Sequence, residues 1–485
     1  MRLVERVADQ AVDFNAFIRS VFQLTCDLAG DYIVGQMEQQ DKQLMERRDK
    51  ALYRYIGLRQ TTIKTILGEI SYSRRYYRKT DPETYESKMV FLLDEYLGID
   101  QYSGKYSDDV VELAVSNFMN QSCRKSAESI GDSTIFNISH TSVWNLFQAT
   151  AQKHEDRMSQ LTVLNKEGRL VGNIKTDVLF EEADGVHISM QGKDRPKGNG
   201  KLELKVGTAY TGWRPVGKDR FQTVDKISYA SFEDPSKFTE KMQALKANTF
   251  DVDGILYSLY SSDAGGWCKH NGEDANIQQI DSFHRNEAIL RAIPETTQRR
   301  QVWDFLKARE VDGALQYIEA LSNSYEEPKQ VNQIKDLLAY FTNNRDLLLT
   351  WEERGLKLPT PPEGIVYRSL GTQEHSNANI ICSRMKHNGT SWSTDGGGKM
   401  ALMLCLRSYG GDPNWIYDNT AIQPTGISSL PEPLSAAKTP DHDGHGYDGG
   451  RHGGWPFAGA SVTNGRKALR NIFEQRSFPQ IRYQG

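Results

Sequence analysis

The sequence predicts an α/β protein with a mainly helical N-terminal region, and three observations lead to this prediction. Hydrophobic residues between Phe14 and Leu28 recur at spacings of three and four, which is the period of an amphipathic helix. Around residues 61–79 the period changes to two, as in β-strands. From Lys166 onward, several strand-like runs surround a helix. A chain of 485 residues is long enough for roughly two to four structural units.

The composition is that of an ordinary globular protein. Hydrophobic residues make up 38% and charged residues 25% of the chain, which excludes a collagen-like chain, a disordered protein and a disulfide-rich mini-scaffold. No apolar run approaches the roughly 18 residues that a membrane span needs. Five widely spaced cysteines without a Cys-x-x-Cys pair favour a reducing, cytoplasmic location. Because the net charge is −4, any DNA binding must come from local basic patches.

A β-hairpin is predicted at residues 61–79, with Gly68 and Glu69 at its turn. The second strand ends in a basic cluster near three tyrosines, and the cluster consists of Arg74, Arg75, Arg78 and Lys79. Such side chains can neutralise the phosphates of DNA. The alternative is a solvated basic edge strand, which prevents pairing with another sheet.

Three helices are predicted at residues 109–119, 124–130 and 141–151. The third begins with His140, Thr141 and Ser142, and either Ser139 or Thr141 can cap it. Because a recognition helix presents polar residues at its N-terminus to base edges, this pattern predicts a helix-turn-helix. The connection at 131–138 is longer than the usual turn, so an ordinary helical bundle is the alternative.

The next segment has the element order strand, strand, strand, helix, strand, which is that of an RNase H-like core. Its helix is expected to begin at Asp234-Pro235-Ser236, with Ser236 as the cap. A helical block then interrupts the core. The predicted domains are a helical region at 1–60, a DNA-binding region at 61–165, the first part of the core at 166–285, an all-α insertion at 286–358, the final catalytic helix at 359–410 and a Gly-rich tail at 411–485.

Three acidic residues occupy positions suited to metal binding. Asp184 lies in a strand, Asp263 follows another strand, and Glu374 lies near the start of the last core helix. Carboxylates are the ligands that Mg²⁺ prefers, and three of them can hold two ions for phosphoryl transfer. Each acid, taken alone, has the alternative interpretation of a solvated residue, as lone acids at strand ends usually are. Glu181 or Glu182 could also take the place of Asp184, although Glu182 and Asp184 share one face of the strand.

Several motifs together resemble those of a known family. They are Asp184-Gly185, Ser262-Asp263-Ala264-Gly265-Gly266-Trp267, Asp281-Ser282-Phe283-His284 and Gly371-Thr372-Gln373-Glu374. They resemble the DDE transposases of bacterial insertion sequences, in particular the ISLre-type transposases related to the Mutator-like group. The resemblance extends to about Leu406, and it departs at Ser262, where relatives more often have glycine.

The resemblance implies a catalytic site. Asp184, Asp263 and Glu374 would bind Mg²⁺ (or Mn²⁺), and His284 would lie near the substrate strand as a further catalytic residue. A packed, partly buried histidine is the alternative for His284. The helical block would be the all-α insertion of the family.

The expected function is therefore that of a DDE transposase, which binds insertion-sequence ends and target double-stranded DNA and catalyses strand cleavage and strand transfer. A homodimer or larger assembly is expected, because two ends must be joined, in the bacterial cytoplasm and at the nucleoid when DNA is bound. One alternative is a non-catalytic DNA-binding regulator derived from a transposase. Another is a hydrolase that uses paired carboxylates on sugars. The tail histidines His442, His445 and His452 could bind a transition metal or belong to a flexible tail.

Overall fold

The computed structural model describes residues 13–99, 106–272, 275–387 and 389–408, and it is a mixed α/β structure with open sheets. It divides into two units, one reaching Thr150 and the other beginning at Ala151. The predicted tail at 411–485, with its three histidines, lies outside the described residues. In the part of the chain that is described, no helix is long and apolar enough to cross a membrane.

The first unit contains a three-stranded antiparallel sheet and several helices. Its elements are α1 (Phe14–Arg47), β1 (Tyr53–Thr65), β2 (Gly68–Thr80), β3 (Ser87–Val90), α2 (Leu92–Leu97), α3 (Asp108–Asn120), α4 (Cys123–Ser133) and the first part of α5 (His140–Lys166). The strand order is β1-β2-β3. Asp13 caps the first helix by accepting a hydrogen bond from the amide of Ala16 at 2.8 Å. The predicted N-terminal helix is thus confirmed.

The predicted hairpin is confirmed, but its turn is not where the pattern placed it. Each strand is 13 residues long, and the turn consists of Ile66 and Leu67 rather than Gly68 and Glu69. Thr65 closes the turn, because its hydroxyl accepts from the amide of Leu67 and donates to the carbonyl of Gly68. Gly68 begins the second strand with φ of +103°, a conformation that favours glycine.

The three helices predicted between residues 109 and 151 are all present, and the third is much longer than predicted. Ser139 is its cap, since the hydroxyl oxygen accepts from the amide of Ser142 at 3.0 Å; Thr141 lies inside the helix. Six residues, 134–139, connect α4 to α5. This connection is longer than that of a regular helix-turn-helix.

The second unit is built on a five-stranded sheet. Its strands are β4 (Val178–Ser189), β5 (Lys201–Tyr210), β8 (Ile227–Ser231), β9 (Tyr257–Ser262) and β10 (Ile277–Ile280), and a separate hairpin is formed by β6 (Gly212–Gly217) and β7 (Arg220–Val224). The strand order is β10-β9-β4-β5-β8. β4, β9 and β10 are parallel, and β5 is antiparallel to both of its neighbours. The hairpin and β10 were not predicted, because Pro215 and the two glutamines of β10 break the apolar pattern.

The α-helices that begin within the second unit all follow β8 in the chain. They are α6 (Pro235–Thr249), α7 (Gly266–Asn271), α8 (Ser282–Ala292), α9 (Thr296–Lys307), α10 (Val311–Ser324), α11 (Pro328–Asn343), α12 (Gln373–Ser376), α13 (Ser383–Met385) and α14 (Thr394–Arg407). The predicted cap Ser236 is wrong: Asp234 accepts from the amide of Lys237 at 3.1 Å, and Pro235 opens the helix. The predicted last core helix contains a π-helical segment, Asn377–Cys382, between α12 and α13.

The two faces of the central strand pack against different cores. Because side chains alternate along a strand, Leu179 points to one face and Phe180 to the other. Leu179 packs with residues of α5, α6 and α14, such as Phe238 and Leu402. Phe180 packs with Tyr210 and other residues of a second cluster. This burial fixes the register of the strand, and with it the direction of each side chain farther along.

Candidate metal centre

Two of the predicted acids lie next to each other at adjacent parallel strands, Asp184 within β4 and Asp263 directly after β9. In the register of β4 and β9, Ala183 lies opposite Ser262. Asp184 and Asp263 are the next residues of the two segments, and neighbouring strands are about 4.8 Å apart. The sheet therefore brings together two acids that are far apart in the sequence.

The turn that carries Asp263 is held by hydrogen bonds on both sides. The hydroxyl of Ser262 accepts from the amide of Ala264 at 3.1 Å, and the Asp263 carboxylate accepts from the amide of Gly265 at 2.7 Å. Ala264 has φ of +61°, which is uncommon for a residue with a side chain. Tyr340, from the helical block, donates its hydroxyl to the carbonyl of Asp263 at 2.9 Å. The helical block therefore supports the backbone at this acid.

His284 reaches the same place from the first turn of α8. The amide of Asp281, the residue before this helix, donates to the carbonyl of Ser262 at 2.7 Å and so fixes the helix start beside β9. Nδ1 of His284 lies 3.0 Å from the Asp281 carboxylate. Nε2 faces the acids, 3.9 Å from Asp184 and 3.8 Å from Glu374. The imidazole is thus oriented by one carboxylate and directed at two others.

Glu374 completes the cluster from α12. One ligand atom each of Asp184, His284 and Glu374 lie within 4.8 Å of one another. Asp184 is buried and Glu374 is partly exposed, so the cluster opens to solvent on the side of Glu374. Asp184 accepts hydrogen bonds from the amide of Gly185 and from Asn377, both at 2.7 Å. These two donors fix its carboxylate in one orientation.

Burial, a hydrogen bond and the neighbouring acids shift the pKa values of the site. Burial raises the pKa of Asp184 to about 6, and Glu374 and Asp263 add to this rise, while His284 and the Gly185 amide oppose it. The hydrogen bond to Asp281 raises the pKa of His284 to about 9 against the effect of burial, and the charges of Asp184, Asp281 and Asp263 contribute further. Both shifts have the sign expected of a site with excess negative charge.

The donor set fits a small divalent cation. Asp184 and Glu374 offer carboxylate oxygens, the ligands of Mg²⁺, and a histidine donor is also compatible with Mn²⁺. A carboxylate that holds Nδ1–H of a histidine leaves Nε2 as the ligand atom, and Asp281 is placed to do this. Asp263 lies outside the group of three, but it is close enough to affect the pKa values of Asp184 and His284.

A sequence model of UPF0236, an uncharacterised protein family, matches residues 7–415. The chain belongs to this family. One UPF0236 protein of Caldanaerobacter subterraneus subsp. tengcongensis is 22% identical over 426 residues, which cover 83% of this chain and 80% of the relative. A second from that organism is 22% identical over 430 residues, covering 85% and 81%, and its name joins eleven locus labels. A third is 23% identical over 393 residues, covering 77% and 70%, and its name joins four.

In this UPF0236 chain, the basic residues predicted to contact DNA differ in their surroundings. Arg74 forms an ion pair with Asp94, and Arg75 lies 2.5 Å from the buried Asp41. Arg78 is exposed, and the Lys79 ammonium lies 5.4 Å from the centre of the Tyr53 ring. Arg74 and Arg75 thus have a structural role, whereas Arg78 is accessible to a ligand.

The predicted recognition residues lie at the first turn of α5. His140 and Thr141 are exposed. Ser142 is partly buried, and its hydroxyl lies 2.9 Å from that of the capping Ser139. Behind them, Phe118 and Phe147 pack with ring centres 4.8 Å apart and hold the helix. The two exposed side chains are therefore on a rigid support.

Sequence reasoning missed two residues of the site. Asn377 orients Asp184 and Tyr340 supports Asp263, as described above. Asn377 lies three residues after Glu374, which is close to one helical turn, so helical spacing could have identified it. Tyr340 lies in the helical block, and nothing in its local sequence distinguishes it from a packed aromatic residue.

Proposed function

We propose that this chain is a metal-dependent DNA transposase of the DDE type. The observation that carries the proposal is the convergence of Asp184 and Glu374, with Asp263 and His284 beside them, from four separate segments of one sheet-based unit. Acids scattered over a surface have no reason to meet at one point. Three carboxylates next to a single imidazole form a site for positive charge.

The sheet topology supports the same proposal. The order β10-β9-β4-β5-β8, with β5 antiparallel, is the arrangement expected of an RNase H-like core. The helices α9, α10 and α11 lie between His284 and Glu374 in the sequence and share a hydrophobic core with residues of β10 and α8. This is the place where the resembled family carries its all-α insertion.

The names of the relatives add an independent argument. A name that joins eleven locus labels of one organism is expected if one protein sequence recurs at several places in a genome. Recurrence of this kind is typical of genes that move or copy themselves. It favours a mobile-element enzyme over the hydrolase alternative.

The proposed reaction is phosphoryl transfer at the ends of an element. Water attacks a phosphodiester at the element end, breaks its P–O3′ bond and leaves a 5′-phosphate and a free 3′-hydroxyl. This 3′-hydroxyl then attacks a phosphodiester of the target, forms a new P–O bond and releases the target's own 3′-hydroxyl. Mg²⁺ or Mn²⁺ bound by Asp184 and Glu374, with His284 or Asp263, would stabilise negative charge on the phosphate. The chain itself fixes the Asp184 carboxylate through Gly185 and Asn377 and the imidazole through Asp281. The exposed Arg78 and the start of α5 supply candidate DNA contacts.

A plasmid assay tests this proposal. Supercoiled DNA that carries the sequences flanking the gene is incubated with the full chain in Mg²⁺ or EDTA, and nicks and joined products are scored. We expect Mg²⁺-dependent nicking that Asp184→Asn or Glu374→Gln abolishes, while binding to the ends survives in a gel-shift assay. End binding without nicking by the natural chain would favour the regulator. Strand transfer retained by either variant would contradict the assignment of these acids.

A further inference from the structure

Glu182 lies two residues before Asp184 and does not belong to the metal-binding group. Its side chain is on the same face of β4 as Asp184, since side chains alternate along a strand. The residue is only 2% exposed. A buried carboxylate is costly unless hydrogen bonds compensate it, so its partners define its role.

The partners of Glu182 are all donors, and most belong to the segment that leads into Glu374. One oxygen accepts from the amides of Gly371 at 2.9 Å and Gln373 at 3.1 Å. The other accepts from the amide of Thr372 at 3.1 Å and from the Thr372 hydroxyl. Tyr210 donates its hydroxyl to the same oxygen at 2.5 Å. Both carboxylate oxygens are therefore used by the fold and are not offered to a cation.

We propose that Glu182 is a positioning residue that fixes Glu374 beside Asp184, and this inference rests on the proposed metal site. Three successive amides, of Gly371, Thr372 and Gln373, converge on one carboxylate at the start of α12. A carboxylate in this position favours the helix start and fixes its direction. Glu374 is the next residue in the chain.

A second set of hydrogen bonds extends this connection to Asp184. The side-chain amide of Gln373 donates to Asn377 at 2.8 Å, and Asn377 donates to Asp184 at 2.7 Å. Glu182 and Asp184 thus contact the segment that carries Glu374 on both sides of that residue, Glu182 at Gly371–Gln373 and Asp184 at Asn377. The ammonium group of Lys226 also donates to the hydroxyl of Ser376 at 2.7 Å. The distance between Asp184 and Glu374 is therefore set by a buried network of hydrogen bonds.

The backbone at Gly371 fits this role. Its φ is +134°, which a residue with a side chain adopts only under strain. This conformation directs the Gly371 amide toward Glu182 together with the next two amides. The sequence Gly371-Thr372-Gln373-Glu374 is therefore explained by the geometry: glycine for the turn, threonine for its hydroxyl, and glutamate for the cation.

The neighbouring Glu181 provides a matched control. It is also buried, but it points to the other face of β4, where its carboxylate accepts from Lys246 at 2.7 Å and from Ser258 at 2.6 Å. Replacing either glutamate by glutamine removes one buried, hydrogen-bonded carboxylate from the same strand. Only the change at Glu182 places an NH₂ group against backbone amides that hold Glu374.

The experiment compares Glu182→Gln with Glu181→Gln in the full chain by Mn²⁺ titration, followed by electron paramagnetic resonance, and by thermal unfolding in EDTA. We expect Glu182→Gln to weaken Mn²⁺ binding about 10- to 100-fold. Glu181→Gln should leave Mn²⁺ affinity within about twofold of that of the natural chain. The unfolding temperatures of the two variants should fall by similar amounts, because each loses one buried, hydrogen-bonded carboxylate. In the plasmid assay, kcat should fall for Glu182→Gln with little change in KM for DNA, because the DNA contacts lie elsewhere.

The possible failures are distinguishable. If the natural chain binds no Mn²⁺ and does not nick DNA, the proposed function fails; if it does both and the two variants bind Mn²⁺ equally, the positioning role of Glu182 is wrong. Should Glu182→Gln not fold, Thr372→Val tests the same point, since it removes one donor to Glu182. It should weaken Mn²⁺ binding about two- to fivefold, because residues that orient a metal ligand affect metal affinity, and unchanged binding would overturn the inference.

Discussion

Charged side chains are compensated differently in the N-terminal sheet and in the candidate metal centre. In the sheet, Arg75 pairs with the buried Asp41 of α1, and Arg74 pairs with Asp94 and lies 3.9 Å over the ring of Phe91. In the metal centre, among the described residues, no lysine or arginine forms an ion pair with Asp184, Asp263 or Glu374. His284 is the cationic group that faces two of these acids.

This difference distinguishes charges that stabilise the fold through ion pairs from acids that are available to bind a cation. A buried ion pair costs much free energy when one partner is removed, because the other charge is left without compensation. Acids that repel one another behave in the opposite way, since replacing one of them relieves the repulsion. The two regions should therefore respond differently to the same substitution of aspartate by asparagine. In the metal centre the variant should lose activity but not stability, and in the sheet it should lose stability.

The largest effect is expected at Asp263. Asp263→Asn should lower the rate of DNA nicking by about 10³-fold, because catalytic metal sites contribute several kcal/mol to the barrier. The free energy of unfolding in EDTA should stay the same or rise by about 1 kcal/mol as repulsion with Asp184 is relieved. Asp253→Asn, an exposed acid before the same strand, is the control and should change neither quantity. A clear loss of stability in Asp263→Asn would break the comparison.

The second-largest effect is expected at Asp41, and it concerns stability rather than activity. Asp41→Asn should lower the free energy of unfolding of the N-terminal unit by about 3 kcal/mol, because Arg75 loses its carboxylate partner in a partly buried place. Urea denaturation measures this change. Asp31→Asn, an exposed acid on the same helix, should change it by less than about 0.5 kcal/mol. If both variants were equally stable, the pairing would have no structural role.

How much of this was predictable from the sequence differs between the two regions. Asp184 and Asp263 could be recognised because one lies within a strand pattern and the other directly follows a second strand pattern, and neighbouring strands of a sheet bring such residues together. The ion pairs of Arg74 with Asp94 and of Arg75 with Asp41 could not be predicted. It depends on how α1 and α2 pack on the sheet, and the local pattern shows only a basic run.

Glu182 illustrates the same limit inside the site. In the sequence, either Glu181 or Glu182 could replace Asp184 as a ligand, and strand alternation shows only that Glu182 shares a face with Asp184. Their roles differ because Lys246 lies on one face of the strand and the Gly371–Gln373 turn on the other. Only the tertiary structure brings these distant segments to the strand, so the assignment required the fold.

A smaller effect, on pH dependence, sharpens the comparison at His284. Its folded pKa of about 9 lies above the ordinary value of 6.5, so its contribution to stability is present below pH 6.5 and is lost as the pH rises to 9. The metal-free protein should lose about 1–2 kcal/mol of unfolding free energy in this interval. Urea denaturation at both pH values in EDTA checks this, and His284→Gln should remove that part of the loss. An unchanged slope in this variant would show that the imidazole does not compensate the acids.

The smallest effect is expected where a basic residue of the sheet has no acidic partner. Arg78 is exposed and lies opposite Arg54 in the register of β1 and β2, so two positive charges meet without an ion pair in the described structure. If Arg78 contacts a phosphate, Arg78→Gln should weaken DNA binding about threefold and lower the slope of log affinity against log salt by about 1. Arg75→Gln is the matched control, because its guanidinium is already paired with Asp41; it should destabilise the unit without changing the slope. Gel-shift titrations of folded protein at several salt concentrations separate the two variants. Equal slopes for both would mean that the exposed arginine is a solvated edge residue, and the DNA contacts of this unit would then have to lie at the start of α5.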